Sequence, residues 1–195
     1  MIEQDLNSLT DEDLIIIFQQ NNNERAFEIL VKRYKNPLIN FVFRFLGDYE
    51  SCVDVVQDTF IKVYRYKNVY SDIAKFSTWI YTIASNLAKT EYKRKKRIKL
   101  ISISQKSDDE RPIEIKDNQL RPDKSLENLF KEEQIQQALL KLKIIYREPV
   151  ILRDIQGLSY EEIASILSIE VGTVKSRINR GRRKLQKLLK HIYKD

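Results

Sequence analysis

The chain has 195 residues, 35 Lys and Arg against 28 Asp and Glu, a formal net charge of +7 and a pI near 9.3, a balance suited to a polyanionic partner. Its single cysteine, Cys52, excludes an intramolecular disulfide and a cysteine zinc cluster, and its single histidine, His191, leaves no material for a histidine-dependent triad or a multi-histidine metal centre. No apolar run reaches the length of a membrane span, and the N-terminus MIEQDLNSLTDEDL is acidic where a signal peptide is basic and then apolar, so a cytoplasmic protein without membrane insertion is expected.

Glycine and proline number four each and fall mostly where helices should end or turn: Gly47, Pro112, Pro122, Pro149 and Gly157. The expectation is an all-α chain with helices at about 11–20, 24–46, 49–66, 74–96, 126–143, 147–156, 160–167 and 171–192. Pro37 falls inside the second of these and should kink it. The third has an ordinary buried side, Val56, Phe60, Val63 and Tyr64. Its other side shows Asp54, Gln57, Asp58 and Ile61. An acidic patch with an apolar centre would repel DNA; it suits a protein partner, with a merely solvated face as the equal alternative.

The fourth helix, in AKFSTWIYTIASNLAKTEYKRKKR, places Phe76, Trp79, Ile80, Ile83 and Leu87 on one face as core. Thr78, Tyr81, Thr82, Ser85, Lys89, Tyr92 and Lys96 line the other, with Asn86 at the boundary near Trp79 and Thr82. Aromatic and hydrogen-bonding groups running into Lys93, Arg94, Lys95, Lys96 and Arg97 are the ingredients of a single-strand surface, where cations draw phosphates and bases stack or enter a pocket. The pattern then breaks over IKLISISQKSDDERPIEIKDNQLRPDK, which holds two prolines and only short alternating pieces such as Ile101 with Ile103 and Ile113 with Ile115. Brief strands fit those pieces, but a flexible linker over 98–124 fits the whole stretch better and divides the chain into small helical domains at about 1–97 and 125–195.

In LSYEEIASILSIEVGTVKSRINRGRRKL, Ser159 and Glu162 have capping-box spacing, so a helix should open at Tyr160 with Ile163, Ala164 and Leu167 on one face. Ser168 to Glu170 supply a turn, and a second helix opens near Val171. Val174, Ile178, Gly181, Leu185 and Leu188 align on its apolar back, while Ser176, Asn179, Arg180, Arg183 and Lys187 point the opposite way. This is the layout of a helix-turn-helix whose front suits the major groove, since Arg, Asn and Ser bond base edges and phosphates.

Taken in order, these segments resemble a bacterial extracytoplasmic-function (group 4) RNA polymerase sigma factor of the sigma-70 family. NNNERAFEILVKRY resembles the start of region 2, VDVVQDTFIKVYR the polymerase-binding helix, FSTWIYTIASNLAKTEYKRKKR the promoter-melting and minus-ten-reading segment, and GLSYEEIASILSIEVGTVKSRINRGRRKL the region 4 helix-turn-helix that reads the minus-thirty-five element. The linker does not match by sequence, and region 1.1 and a globular region 3 have no room. The resemblance implies a protein that binds core polymerase and directs initiation at chosen promoters, with no catalytic residue, cofactor or metal of its own, controlled by an anti-sigma factor. It implies that Asp54, Gln57, Asp58 and Ile61 dock the clamp helices of the largest polymerase subunit, the flap of the second subunit being a further contact. Asn86 would recognise a base flipped from the minus-ten element, under a specificity loop from Tyr70 to Lys75, with Lys89, Lys93, Arg94 and Arg97 on the same DNA. Lys175, Ser176, Asn179, Arg180 and Arg183 would face the minus-thirty-five groove, Asn179 standing where family members often carry an aromatic residue. The linker acids Asp108, Asp109, Glu110, Glu114 and Asp117 would mimic nucleic acid in the polymerase channels or be simply solvated.

Reach is compatible with this reading. Promoter elements centred roughly 25 base pairs apart lie about 80 Å from each other at ~3.4 Å per pair. A linker of about 27 residues extends to roughly 90 Å. Two other classes stay in view. A conventional helix-turn-helix regulator explains residues 158–185 but not the Tyr- and Lys-lined helix. A metal-dependent helical enzyme would use paired acids, Asp54 with Asp58 or Asp11 with Glu12, but without a histidine partner or a glycine-rich phosphate loop.

Overall fold

The structure, a computed structural model, describes residues 6–71, 74–104 and 126–190. Among these, every regular element is helical: a 3-10 turn Leu6–Ser8, α1 Asp11–Asn21, α2 Glu24–Leu46, α3 Tyr49–Tyr66, a 3-10 turn Lys67–Val69, α4 Phe76–Ser104, α5 Leu126–Lys141, α6 Ile144–Val150 continuing as a π-helical turn Ile151–Ile155, α7 Tyr160–Leu167 and α8 Val171–Leu189.

Short polar side chains set the helix starts by satisfying backbone N–H groups that have no partner in the first turn. Thr10 and Asp13 form a capping box on α1, Asn23 Oδ1 accepts from the Ala26 N–H at 3.1 Å, and Asp48 Oδ2 accepts from the Ser51 N–H at 2.9 Å. The start of α4 is capped from a distance, by Glu12 Oε1 accepting from the Phe76 N–H at 2.8 Å. Gly47 ends α2 at φ +76°, where its N–H reaches the Phe43 carbonyl at 2.8 Å. The faces so aligned bury Leu14, Ile15, Phe18, Leu30, Leu38, Phe41, Phe45, Phe76 and Ile80 completely. Each contributes about 1.5–3 kcal/mol of apolar burial.

In the C-terminal half Val150, Ile151, Leu152, Ile163, Ile166, Val174 and Ile178 form the core. Pro149 has no N–H to give its helix, and directly after it the Ile151 N–H is shared between the Arg147 and Glu148 carbonyls. The ladder then widens, the Gln156 N–H bonding the Ile151 carbonyl at 3.0 Å. Gly181 lets α8 lie directly on α6: a Cβ there would sit 2.6 Å from Val150 Cγ2 and 3.2 Å from the Tyr146 carbonyl oxygen. The two halves also pack on each other, α7 against α4, and α5 and the π turn against α2.

Two expectations change. The fourth helix runs on to Ser104, past its expected end and into the expected linker. The charge run that seemed to close it consists of Lys and Arg, which are good helix formers when solvated. Tyr64, read as buried, is 47% exposed, its ring lying against Phe18 and Phe27, while Cys52, Val55 and Thr59 fill the inner face of α3. Pro37 lies within α2, where its place in the sequence puts it. Residues 105–125, with the linker acids Asp108, Asp109, Glu110, Glu114 and Asp117, and His191 lie outside the described residues.

Candidate nucleic-acid and polymerase interfaces

The helix-turn-helix forms as its sequence dictates. Ser159 Oγ accepts from the Glu162 N–H at 3.1 Å while Glu162 Oε2 accepts from the Ser159 N–H at 2.7 Å, and Ser168 closes α7 at φ 53°. With Val174, Ile178 and Gly181 buried against α6 and α7, the helical period leaves Lys175, Ser176, Asn179, Arg180 and Arg183 exposed together on α8. Leu185 and Leu188 are half-buried at the end of that back. The face is cationic and polar. Arg182, beside it, is held by a bidentate pair with Asp154.

On α3, Asp54, Gln57 and Asp58 are exposed, with Ile61 41% exposed among them. Burial of Val55, Val56, Thr59 and Val63 on the inner side forces this row outward, so the acidic and apolar patch is contiguous along the helix.

Around α4 the faces are divided differently from the sequence expectation. Phe76, Ile80, Ala84 and Ala88 are the fully buried row, and Trp79, Ile83 and Leu87 are half-buried, packing against the core while also walling a cavity of about 320 Å³ with Lys62, Tyr66, Val69, Asn86 and Thr90. That volume lies in the range of small-ligand pockets, and its walls combine ring faces, a carboxamide, a hydroxyl and an ammonium. Asn86 is exposed at this cavity. Thr82, expected beside it, donates its hydroxyl to the Thr78 carbonyl at 2.7 Å. Tyr70, expected in a loop over the base, is only 6% exposed: its ring packs on Phe76 and Trp79 and its hydroxyl donates to the Ala74 carbonyl at 2.7 Å. As placed, Tyr70 shapes the loop and supports Trp79. Lys75 is exposed at the end of that loop, while Asp72 and Ile73 between them lie outside the described residues. Lys93 and Arg97 are exposed; Arg94 is paired with Glu91 through two bonds of 2.7 Å, and Lys95 with Asp48 at 2.6 Å.

The face of α4 read as a single-strand surface is in large part covered by the C-terminal half. Thr78, Tyr81 and Ser85 are buried. The Tyr81 hydroxyl bonds Gln156 Oε1 at 2.6 Å, the Ser85 hydroxyl donates to Glu148, Lys89 lies 3.4 Å from Glu148, and Lys75 lies 2.9 Å from Glu162. Burial raises the Glu148 carboxyl above the ordinary carboxylate range despite Ser85 and Lys89. Burial acts the same way on Glu162, but the bonds from Ser159 and Lys75 outweigh it and hold that carboxyl low.

Arg147 is the neighbour of Glu148 and is 3% exposed, with no carboxylate partner among the described residues. Its guanidinium donates instead to the carbonyls of Phe45 at the end of α2 and of Leu140 and Leu142 at the end of α5, where two helix C-termini present negative charge. Burial lowers its pKa. Sequence reasoning passed over Arg147 and Glu148. The visible signal was an adjacent charged pair inside the apolar run IIYREPVIL. Of the carboxylates weighed as metal ligands, one pair has other duties: Asp11 accepts from Arg33 at 2.6 Å and from the Tyr34 hydroxyl at 2.5 Å, and Glu12 caps α4.

The arrangement has relatives. The family described as Sigma-70 region 2 matches residues 30–98, and that described as Sigma-70, region 4 matches residues 132–185. The RNA polymerase sigma-H factor of Pseudomonas aeruginosa is 33% identical over 180 residues, 90% of this chain and 92% of its own length. The ECF RNA polymerase sigma factor SigW of Bacillus subtilis is 33% identical over 175 residues, 89% of this chain and 94% of its own. The ECF RNA polymerase sigma-E factor of Escherichia coli is 36% identical over 184 residues, 89% of this chain and 91% of its own. Among solved structures, CnrH in complex with the cytosolic domain of CnrY superposes with a TM-score of 0.68 at 26% identity, covering 93% of this chain and 97% of that one. The sigma factor RpoE in complex with the anti-sigma factor NepR, from Bartonella quintana, gives 0.66 at 26% identity, covering 85% and 98%. With both regions matched in order along one helical chain, this protein belongs to the sigma-70 family as an extracytoplasmic-function sigma factor.

Proposed function

We propose that this chain works as two DNA readers and one polymerase dock, and that it performs no chemistry of its own. The observation that carries the reading is the succession, on one chain, of an acidic and apolar row on α3, a cavity walled by Trp79 and Asn86 on α4, and an exposed cationic face on α8. Asp54, Gln57, Asp58 and Ile61 dock the clamp helices of the polymerase, where an apolar centre supplies burial and the acids supply orientation. The flap of the second subunit takes the C-terminal domain. Lys175, Ser176, Asn179, Arg180 and Arg183 enter the major groove at the minus-thirty-five element.

At the minus-ten element an unpaired base enters the cavity beside Asn86, whose carboxamide offers both a donor and an acceptor to a base edge. Unpairing costs a few kcal/mol, which stacking on Trp79 or Tyr66 and the bonds to Asn86 offset. Lys75, Lys89, Lys93, Arg94 and Arg97 neutralise flanking phosphates and so add affinity without sequence preference. Initiation chemistry belongs to the polymerase, and the chain works in the cytoplasm, where that enzyme meets the chromosome. Among the described residues no helix is long and apolar enough to cross a membrane. Two structural relatives are complexes, CnrH with a domain of CnrY and RpoE with the anti-sigma factor NepR, which supports control of this chain by an anti-sigma protein of its own.

The test is run-off transcription from a library of promoter fragments with purified core polymerase, with and without the chain. Selective transcripts that appear only when the chain is added are the expected result. An unchanged transcript spectrum would refute the reading.

A further inference from the structure

We infer that helix α1 is a splint for the minus-ten base cavity, and that Gln19 is the positioning residue through which it sets base preference. The inference rests on the role proposed above for that cavity. Two of the cavity walls come from the segment that joins α3 to α4: Tyr66 is 55% and Val69 71% exposed, so burial in the core does not hold them. Their backbone is held instead. Gln19 Nε2 donates to the Lys67 carbonyl at 2.6 Å and to the Tyr70 carbonyl at 2.9 Å, so one amide ties the 3-10 turn Lys67–Val69 to the residue that follows it. The Lys67 carbonyl also accepts from the Tyr70 N–H at 3.1 Å, which uses its second lone pair.

Lys67 strengthens the same attachment from its side chain. Its ammonium donates to the Phe18 carbonyl at 3.3 Å and to Asn22 Oδ1, and lies 3.9 Å from the centroid of the Phe18 ring. This is the C-terminal end of α1, where unpaired carbonyls favour a cation. Two turns earlier on the same side of α1, Glu12 accepts from the Phe76 N–H at 2.8 Å and fastens the far end of the segment, where α4 begins. The effect reaches the cavity through Tyr70, whose backbone Gln19 fixes and whose ring lies 5.3 Å from that of Trp79. Asn86 offers its carboxamide to a base edge, while Tyr66, Val69 and Trp79 decide where that edge sits. A hydrogen-bonding site discriminates only when its groups are held to about 0.5 Å. Once the segment is released a base can slide, and more than one edge pattern meets the carboxamide. Gln19 is not itself part of the cavity wall, so it acts by position alone.

The experiment uses the full chain, in which Trp79 is the only tryptophan and so reports on the cavity. Gln19→Met keeps the length of the side chain and removes both donors; Gln20→Met, at the neighbouring exposed position, is the control. Acrylamide quenching of Trp79 is measured first. Binding is then measured to single-stranded oligonucleotides of a preferred minus-ten sequence with each base in turn at the Asn86-dependent position, and to oligothymidylate. Gln19→Met should raise the quenching and lower the preference for the best base by about fivefold, the discrimination that one well-placed hydrogen-bonded pair gives, with affinity for oligothymidylate within about twofold of the parent. Gln20→Met should match the parent in all three. Glu12→Leu should act as Gln19→Met does and Glu12→Gln should not, because an amide oxygen still accepts from the Phe76 N–H. Circular dichroism on each protein verifies that the helices persist. Quenching unchanged by Gln19→Met, or base preference retained by it, would overturn the inference. So would equal losses for every base and for oligothymidylate, the behaviour of a residue that only supports the fold. The quenching needs no DNA, and a parent that prefers no base at any position would refute the base-reading role of the cavity itself, and with it the purpose assigned to Gln19.

Discussion

The two helices assigned to DNA differ in what already occupies them. On α8 the residues facing outward, Ser176, Asn179, Arg180 and Arg183, are exposed, and of the assigned set Lys175 touches a ring, that of Tyr160, at 5.5 Å. On α4 the corresponding face is populated by partners from the same chain: Thr78, Tyr81 and Ser85 are buried, and Lys89 sits beside Glu148. On the proposed reading, α8 meets duplex DNA as a finished surface and needs only to be presented, whereas α4 holds a melted strand, whose unpaired bases and phosphates must first be captured.

Four variants separate the two sides. The largest effect is expected from Arg147→Met, which keeps bulk but strips the donors from the carbonyls of Phe45, Leu140 and Leu142. Buried acceptors without partners cost about 1–3 kcal/mol each, so the loss should be roughly 3 kcal/mol or more. For a chain of this size that lowers the thermal midpoint by about 6–12 °C, read by circular dichroism. A midpoint within a degree of the parent would mean that the buried guanidinium holds nothing together.

Arg180→Ala should act on α8 alone. It should remove about 1–3 kcal/mol of binding to minus-thirty-five duplex if the guanidinium bonds a base bidentately, with no change in thermal midpoint. Titration of labelled duplex against parent and variant checks it, and equal affinities would take Arg180 out of the reading set. Reversing both Asp54 and Asp58 to Lys touches neither DNA face. Association with core polymerase should slow on the order of tenfold, chiefly through the on-rate, while binding to oligonucleotides is retained. Core association at the parental rate would make the row a solvated surface.

Asn86→Ala is the subtlest. Discrimination at one minus-ten position should fall by about 1 kcal/mol with little change in mean affinity, since one carboxamide is lost and the phosphate contacts remain. Binding to single-stranded oligonucleotides carrying each base in turn measures it. A uniform loss across the four bases would assign Asn86 to structure.

Much of this was legible in the sequence because the signals were local. The start of α7 follows from Ser159 and Glu162, three residues apart, and the exposure of Arg180 follows from the spacing of Val174, Ile178 and Gly181. The α3 row is equally local, with Asp54, Gln57, Asp58 and Ile61 opposite Val56 and Val63. What failed to show depended on contacts distant in sequence. Tyr81 and Ser85 look like surface residues because a hydroxyl suits solvent or a buried partner equally, and their partners, Gln156 and Glu148, are more than sixty positions away. The resemblance places Tyr70 in a loop over the flipped base, yet its ring is claimed by Phe76 and Trp79. The π turn after Pro149 was hidden for another reason: a missing N–H predicts a disturbed ladder but not whether it widens or ends.

The account stands most directly on whether α8 and α4 read separate promoter elements. Run-off transcription with core polymerase from templates randomised across both elements, followed by sequencing of the transcribed templates, compares the parent with Arg180→Ala and Asn86→Ala. The account predicts that Arg180→Ala relaxes the preference at the upstream element alone and Asn86→Ala at one position of the melted element alone. Preferences that shift together at both elements, or at neither, would contradict it.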